Sequence, residues 1–299
     1  MTTGTTTLDS QTSKVRSPAQ RGRIHWPRLM IYALAILLTV AYLLPVFLLV
    51  LTGLKSYGEV NLYDMWALPR TLSLQSFVDA WQGSPAVSGL GRNFINSILV
   101  VIPASLISAF VGALNGYVLS KWKFRGSDLV FLFLLFGLFI PYQSILIPLV
   151  RTLNLLGLYG SLTGLIFVHV VYGLPFTTLI FRGYFAGLPN EMLEAAQIDG
   201  AHFFDLFTRI LLPLAAPGFA VTFIGQFTNI WNDYLFAVVV TNTANQPVTV
   251  ALNNLAGSYS VEWNVQFAGA FIAALPTLLV YIFLGRFFVR GLVAGALKD

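Results

Sequence analysis

Six stretches dominated by apolar residues recur along this chain, at 29–51, 94–119, 129–149, 161–181, 217–240 and 267–289. Each matches the roughly 20 helical residues that cross about 30 Å of hydrocarbon. A water-soluble domain carries roughly 25% charged residues, whereas here 57% of the 299 residues are hydrophobic and 10% are charged. The chain therefore reads as an all-α, polytopic membrane protein with six transmembrane helices, residues 29–299 forming the transmembrane domain. Residues 1–28, rich in Thr, Ser, Gln and Arg, read as a disordered cytoplasmic tail. No small-residue cleavage site stands in the right place before the first run, so a retained span is expected and not a signal peptide.

Cations are held back from translocation and so mark the cytoplasmic side. With six spans, Lys14, Arg16, Arg21, Arg23, Arg28, Lys121, Lys123, Arg125, Arg182, Arg209, Arg286, Arg290 and Lys298 fall on one side. Lys55, Arg70, Arg92 and Arg151 fall on the other. This split of 13 to 4 puts both termini in the cytoplasm. It also accounts for the net charge of +5, so no nucleic-acid partner is expected. The absence of Cys removes disulfides, thiolate metal sites and thiol nucleophiles.

The same topology puts "EAAQIDGAHFFDLFTRILLP", 194–213, into a cytoplasmic loop between the fourth and fifth spans. Glu191, Glu194, Asp199 and Asp205 are a third of the chain's 12 acids. Pro189 and Asn190 mark a helix start with Asn190 as N-cap, and the acids suit the positive end of the helix dipole. Gly200 interrupts. A second short helix then carries Phe203, Phe204, Phe207, Ile210 and Leu211 on one face until Pro213 ends it. Such a loop either lies on the headgroups or docks in a protein cleft. Surface-bound helices favour basic polar faces, and an anionic leaflet repels acids, so a basic protein partner fits better.

The spacing Glu194-Ala195-Ala196, three residues, Gly200, nine residues, Ile210, one residue, Leu212-Pro213 resembles the EAA loop of ABC importer permeases. "WNDYLFAVVV" from Trp231, "PVTVALNNLAG" from Pro247 and the closing "RGLVAGALKD" are similar to the maltose-type carbohydrate-uptake permeases, most closely to their second, six-span permease subunit. The resemblance implies a prokaryotic plasma (inner) membrane location. It also implies four kinds of partner: a second homologous permease, an ATPase dimer, an extracytoplasmic sugar-binding protein and membrane lipid. ATPase coupling would then fall to Glu191, Glu194, Ala195, Ala196, Asp199, Gly200, Phe203, Phe207, Ile210 and Pro213. No G-x-x-x-x-G-K-[ST] motif occurs, so the chain is expected to be non-catalytic and to carry no cofactor, with ATP and Mg on the partner ATPase.

His25, His169 and His202 lie far apart in this topology, and neither H-E-x-x-H nor G-x-S-x-G occurs. Neither a metal site nor a serine hydrolase is expected, and His169 reads as a packed, hydrogen-bonded helix residue. Polar groups inside spans are costly unless they face a cavity or a partner helix. Asn229, Trp231, Asn232, Asp233 and Tyr234 offer amides, a carboxylate and flat rings suited to sugar hydroxyls and C–H faces. They serve either a substrate path or packing between the two permeases. Asn115 and Gln143 are further candidates for the substrate path. Gly112 and Gly116 form a small-x-x-x-small face, and Pro45, Pro103, Pro141, Pro148, Pro175 and Pro276 permit kinks.

Outside the spans, "SLQSFVDAWQG" from Ser73 puts Leu74, Phe77, Val78 and Trp81 on one helical face, and it resembles the family's amphipathic interfacial helix. Asn253, Asn254, Gly257 and Ser258 belong to a polar loop that is either an ordinary turn or, by resemblance, the loop that reaches into the binding protein. Residues 294–299 are expected, again by resemblance, to tuck between the ATPase subunits. The function expected is half of the translocation pathway of an ATP-driven sugar importer. Its substrate would be a mono- or disaccharide or glycoside of glucose-, trehalose- or glucosylglycerol-like type. The alternative is a membrane-embedded enzyme acting on lipid-linked sugars, which needs a second acid beside Asp233.

Overall fold

The computed structural model describes residues 26–61, 63–85, 87–122, 124–256 and 261–296; the tail expected at 1–28 lies almost wholly outside them. The chain forms α1 (Trp26–Gly53), α2 (Gln75–Gln82), α3 (Gly91–Lys121), α4 (Ser127–Phe136), α5 (Leu146–Leu155), α6 (Leu162–Ala186) and α7 (Asn190–Ile198). After α7 come α8 (Phe203–Asp205), a π-helical turn (Leu206–Leu211), α9 (Leu212–Leu214), α10 (Ala216–Trp231), α11 (Leu235–Val240), α12 (Val248–Ala256) and α13 (Trp263–Ala296). The described residues contain no β-strand, only an isolated bridge between Gly83 and Ser88. Two units divide the chain, Met1–Val46 and Phe47–Asp299. In the first, the described residues are one helical stretch whose described side chains are exposed, as befits a helix that is apolar all round and meets lipid on every side.

Among the described residues, four helical segments, Arg28–Gly53, Gly91–Lys121, Leu162–Ala186 and Trp263–Phe287, are long and apolar enough to cross a membrane. Two further pairs pass together but are bent, Ser127–Phe139 with Tyr142–Leu155 by 95° and Phe203–Leu214 with Ala216–Trp231 by 75°. Counting each bent pair as one span gives six. The helix expected at 129–149 is thus broken, and the run at 217–240 is broken at 232–234, between α10 and α11. Pro141 stands between the first pair, and Pro213 and Pro217 flank the second; proline supplies no amide hydrogen and crowds the preceding turn.

Helices α3 and α6 run parallel and in contact. Gly112 faces Thr177, and one turn later on both helices Gly116 faces Phe181. A Cβ on Gly116 would lie 2.7 Å from the Arg182 nitrogen and the Phe181 Cβ, so glycine is what permits this approach, as the small-x-x-x-small pattern implies. Because both helices run the same way, the intervening chain returns to the starting end through the bent α4–α5 segment. Helix α10 runs antiparallel to α6, with Gly225 against Phe176 and Gly218 against Phe181.

Two cores sit at opposite ends of this pair. One gathers Val100, Val101, Leu165, Val168, Phe227, Trp231 and Phe236. The other gathers Ala113, Tyr117, Phe181, Phe185, Phe207 and Leu211. Helix α2 packs on α13 through Ala80, Val265 and Ala268, and Phe77 meets Phe271 edge-on. Leu74, Val78 and Trp81, which share its expected apolar face, remain exposed.

Candidate functional site

The two cores each support a cluster of the residues singled out above. Beside the α3 C-terminus the chain turns from α6 into α7, whose start is held from outside: Lys121 Nζ donates to the Leu188 carbonyl at 2.6 Å and to Asn190 Oδ1 at 2.7 Å. Asn190 therefore does not serve as the N-cap expected of it; Pro189 occupies that position and no side chain caps the helix. Helix α7 ends at Gly200, whose φ of 88° suits glycine. The Gly200 amide donates to Gln197 O, and the Ala201 amide donates back five residues to Ala196 O. This is the double bond pattern of a left-handed C-terminal stop.

The segment 190–213 has an outer and an inner face. Glu191, Glu194, Ala195, Asp199, Gly200 and Pro213 are exposed, and Ala196, Phe203 and Ile210 are half-buried. Phe207 and Leu211 lie in the interior of this chain, exposed by only 1% and 0%. Phe207 stacks on Tyr117 and meets Phe110 edge-on. The apolar face expected to serve a partner is thus turned inward, and Ile198 and Phe204, exposed by 87% and 69%, are the large apolar groups left outside. The wide π-helical turn at Leu206–Leu211 ends just before Pro213, which has no amide hydrogen for an Arg209 carbonyl.

At the other core, α10 stops at Trp231 and the helix resumes at Leu235. Asp233 sits in the gap and caps α11, its Oδ1 accepting from the Phe236 amide at 3.4 Å and its Oδ2 from the Ala237 amide at 3.0 Å. Thr249 Oγ1 donates to the Asp233 carbonyl at 2.8 Å, tying α12 to the break. Beside the break lies a cavity of about 530 Å³. Gln143, Asn229, Asn232, Asp233 and Tyr234 all line it, so one bend in the chain brings Gln143 to the α10–α11 residues. Trp231 points away: it is 2% exposed, stacks on Phe227 and donates its indole hydrogen to the Ala273 carbonyl at 2.9 Å. Asn115 is elsewhere, between α3 and α6, with its Nδ2 3.5 Å from Thr178 Oγ1.

The broken helices around a polar cavity fit one family. Residues 102–294 match the family described as Binding-protein-dependent transport system inner membrane component. The chain belongs to it. Among relatives, a probable ABC transporter permease protein of Pyrococcus horikoshii is 55% identical over 164 residues, 54% of this chain and 60% of that protein. The match therefore spans less than two thirds of that relative. The glucose import system permease protein GlcU of Saccharolobus solfataricus is 31% identical over 289 residues, 94% of this chain and 96% of that one. A chain in the crystal structure of a bacterial ABC transporter involved in the import of the acidic polysaccharide alginate superposes with a TM-score of 0.74. That match covers 89% of this chain and 99% of the other at 19% identity, so the fold is shared.

This inner membrane component also recruits groups to the cavity that its sequence did not mark. Tyr142, His169, Tyr172, Leu235 and Phe236 complete the lining. His169 Nε2 lies 3.7 Å from Asp233 Oδ2, and Tyr172 donates its hydroxyl hydrogen to the Ile140 carbonyl at 3.2 Å. Tyr142 comes from the α4–α5 bend and His169 and Tyr172 from α6, and no local spacing links these three to Asp233, whereas Phe236 stands three residues after it in α11. In the polar loop, Asn253 and Asn254 are exposed at the end of α12, with Asn254 Nδ2 3.3 Å from Gln246 Oε1. Gly257 and Ser258 lie outside the described residues, as do the side chains of 294–299.

Proposed function

We propose that this chain is one of two permease subunits of an ATP-driven sugar importer. It forms half of the translocation pathway with a second, homologous permease in a prokaryotic plasma membrane, its six spans leaving both termini in the cytoplasm. The observation that carries this reading is the cavity at the α10–α11 break. Its lining combines three side-chain amides, one carboxylate and several aromatic rings, the set that recognises hydroxyls and sugar C–H faces. The names of the relatives, glucose and alginate import among them, support a carbohydrate as cargo. The substrate class is a mono- or disaccharide or glycoside.

The exposed acids and the pair Ile198 and Phe204 form the surface that engages a separate ATPase dimer, which holds ATP and Mg. Asn253 and Asn254 face the extracytoplasmic sugar-binding protein. An enzyme acting on lipid-linked sugars is disfavoured, since Asp233 is engaged by two backbone amides and no second carboxylate lines the cavity. The test is affinity capture of the tagged chain from its own cells, then reconstitution with the binding protein. Capture of a second permease and an ATPase, with ATP-dependent accumulation of a labelled sugar, is expected. Vesicles that accumulate no sugar from a broad panel would refute the assignment.

A further inference from the structure

A buried cation for which the described residues show no counter-ion lies outside both clusters. Lys55, two residues beyond α1, is 2% exposed. Its backbone is clamped, for Ser76 Oγ donates to the Lys55 carbonyl at 3.2 Å and Asn264 Nδ2 donates to Ser76 Oγ at 2.9 Å. Its ammonium donates to two carbonyls, Asp64 O at 3.0 Å and Met65 O at 3.1 Å. An ammonium carries three donors, and among the described residues no carboxylate forms an ion pair with this one. Neutral carbonyls solvate a buried charge without neutralising it, so a compensating anion lowers the energy of the site.

The same Lys55 lines a cavity of about 520 Å³ whose walls are otherwise largely apolar, with Leu48, Val60, Met65 and Phe267 among them. Trp263 and Tyr63, exposed by 50% and 94%, also border it. The cavity sits where two membrane-length helices end, α1 closing at Gly53 and α13 opening at Trp263. That is the depth at which Trp and Tyr collect and at which lipid phosphates lie. A soluble anion would satisfy the charge and leave the apolar walls unfilled. A second protein subunit offers no equally general match to a cation set beside an acyl-sized apolar space.

We infer that this cavity binds one anionic phospholipid, its phosphate on the Lys55 ammonium and an acyl chain along Leu48, Met65 and Phe267. The importer complex, purified in detergent, is titrated with dioleoyl phosphatidylglycerol or dioleoyl phosphatidylcholine, and bound lipid is counted by native mass spectrometry. The wild type is expected to hold phosphatidylglycerol about tenfold more tightly than phosphatidylcholine, the scale of one charge-assisted contact. Lys55→Met should abolish that preference and Lys55→Arg should keep it. Because Lys55→Met also deletes two hydrogen bonds, Asn61→Asp is the second variant: Asn61 lines the same cavity, and a carboxylate there supplies the missing counter-charge with Lys55 untouched. It too should abolish the preference. Equal retention of the two lipids by the wild type, or an undiminished preference in Asn61→Asp, overturns the proposal. Displacement of phosphatidylglycerol by equimolar inorganic phosphate overturns the lipid as ligand in favour of a free anion.

Discussion

The ring of Tyr117 stacks on that of Phe203 with centroids 4.8 Å apart and planes at 29°. Trp122 closes the cluster, edge-on to Phe203 and donating its indole hydrogen to the Tyr117 hydroxyl at 2.7 Å. The end of α3 is therefore joined to the segment after Gly200 by aromatic contact, with Phe207 beneath. Tyr117→Ala is expected to cost about 3 to 5 kcal/mol of stability and to lower the sugar imported per ATP hydrolysed. Tyr117→Phe keeps the rings and should cost about 1 kcal/mol for the lost acceptor. An unchanged transport-to-hydrolysis ratio in Tyr117→Ala would show that the cluster only fills space.

The outer face of the same segment predicts a separation of effects. Ile198→Ala and Phe204→Ala remove exposed groups and should leave the stability of the permease within about 0.5 kcal/mol of wild type. Each should nevertheless weaken ATPase retention on an affinity column, as Glu194→Ala should. Phe207→Ala should do the reverse, destabilising the chain by about 3 to 5 kcal/mol. Gly200→Val forces a branched side chain to a positive φ and should both destabilise and uncouple.

For the cavity, Asn232→Ala and Gln143→Ala are the informative pair, since Asp233 also caps α11 and its loss mixes two effects. Asn232 donates to the Thr228 carbonyl at 2.7 Å within its own helix, a bond worth about 1 kcal/mol that the fold can lose. Both variants should assemble and hydrolyse ATP at the basal rate while sugar uptake falls about tenfold or more. Equal loss of assembly would assign these amides to packing between the permeases.

Topology is testable without background labelling because the chain has no Cys. Gln75→Cys and Asn253→Cys should react with an impermeant maleimide in intact cells, and Gln197→Cys should react only after lysis. The opposite pattern would invert the orientation.

Glu59 gives a pH dependence in the loop after α1. Its carboxylate accepts from the Arg70 amide at 3.0 Å and from the Ser56 and Thr71 hydroxyls. These bonds, the Arg70 amide foremost, hold its pKa below the usual carboxylate range. A group whose folded pKa is depressed stabilises the fold above its unfolded pKa, and that contribution is lost as pH falls through the folded value. Pepsin cleavage within 57–73 should therefore rise steeply only on the acid side of the ordinary Glu range, and Glu59→Gln should flatten the profile.

Helices α1, α3, α6 and α13 were legible because an apolar run of membrane length has one reading. The breaks were not. Pro141 and Pro213 mark bends, yet Pro45, Pro103, Pro175 and Pro276 sit inside continuous helices, so proline alone does not say which helix will turn. Four of the ten residues that line the cavity, Asn229 and 232–234, followed from polarity within the fifth run. Tyr142 reaches it only through the α4–α5 bend, and His169 and Tyr172 only through the packing of α6 beside α11, tertiary facts with no local period. Amphipathicity found the face of Phe207 and Leu211 but could not say whether this chain or a partner covers it, since the burial is chemically the same either way.

The parallel α3–α6 zipper has a mechanical consequence. Its two ends carry the cavity and the 190–213 segment, and the glycine contacts leave little room for one helix to slide on the other. Helix α6 has 25 residues, so at about 1.5 Å per residue it is a lever arm of roughly 37 Å, and a pivot of about three degrees at one end gives a stroke on the order of 2 Å at the other. A displacement of that size is the difference between a hydrogen bond held and one released, so a movement imposed on the 190–213 segment needs no side-chain relay to be felt at Asn232.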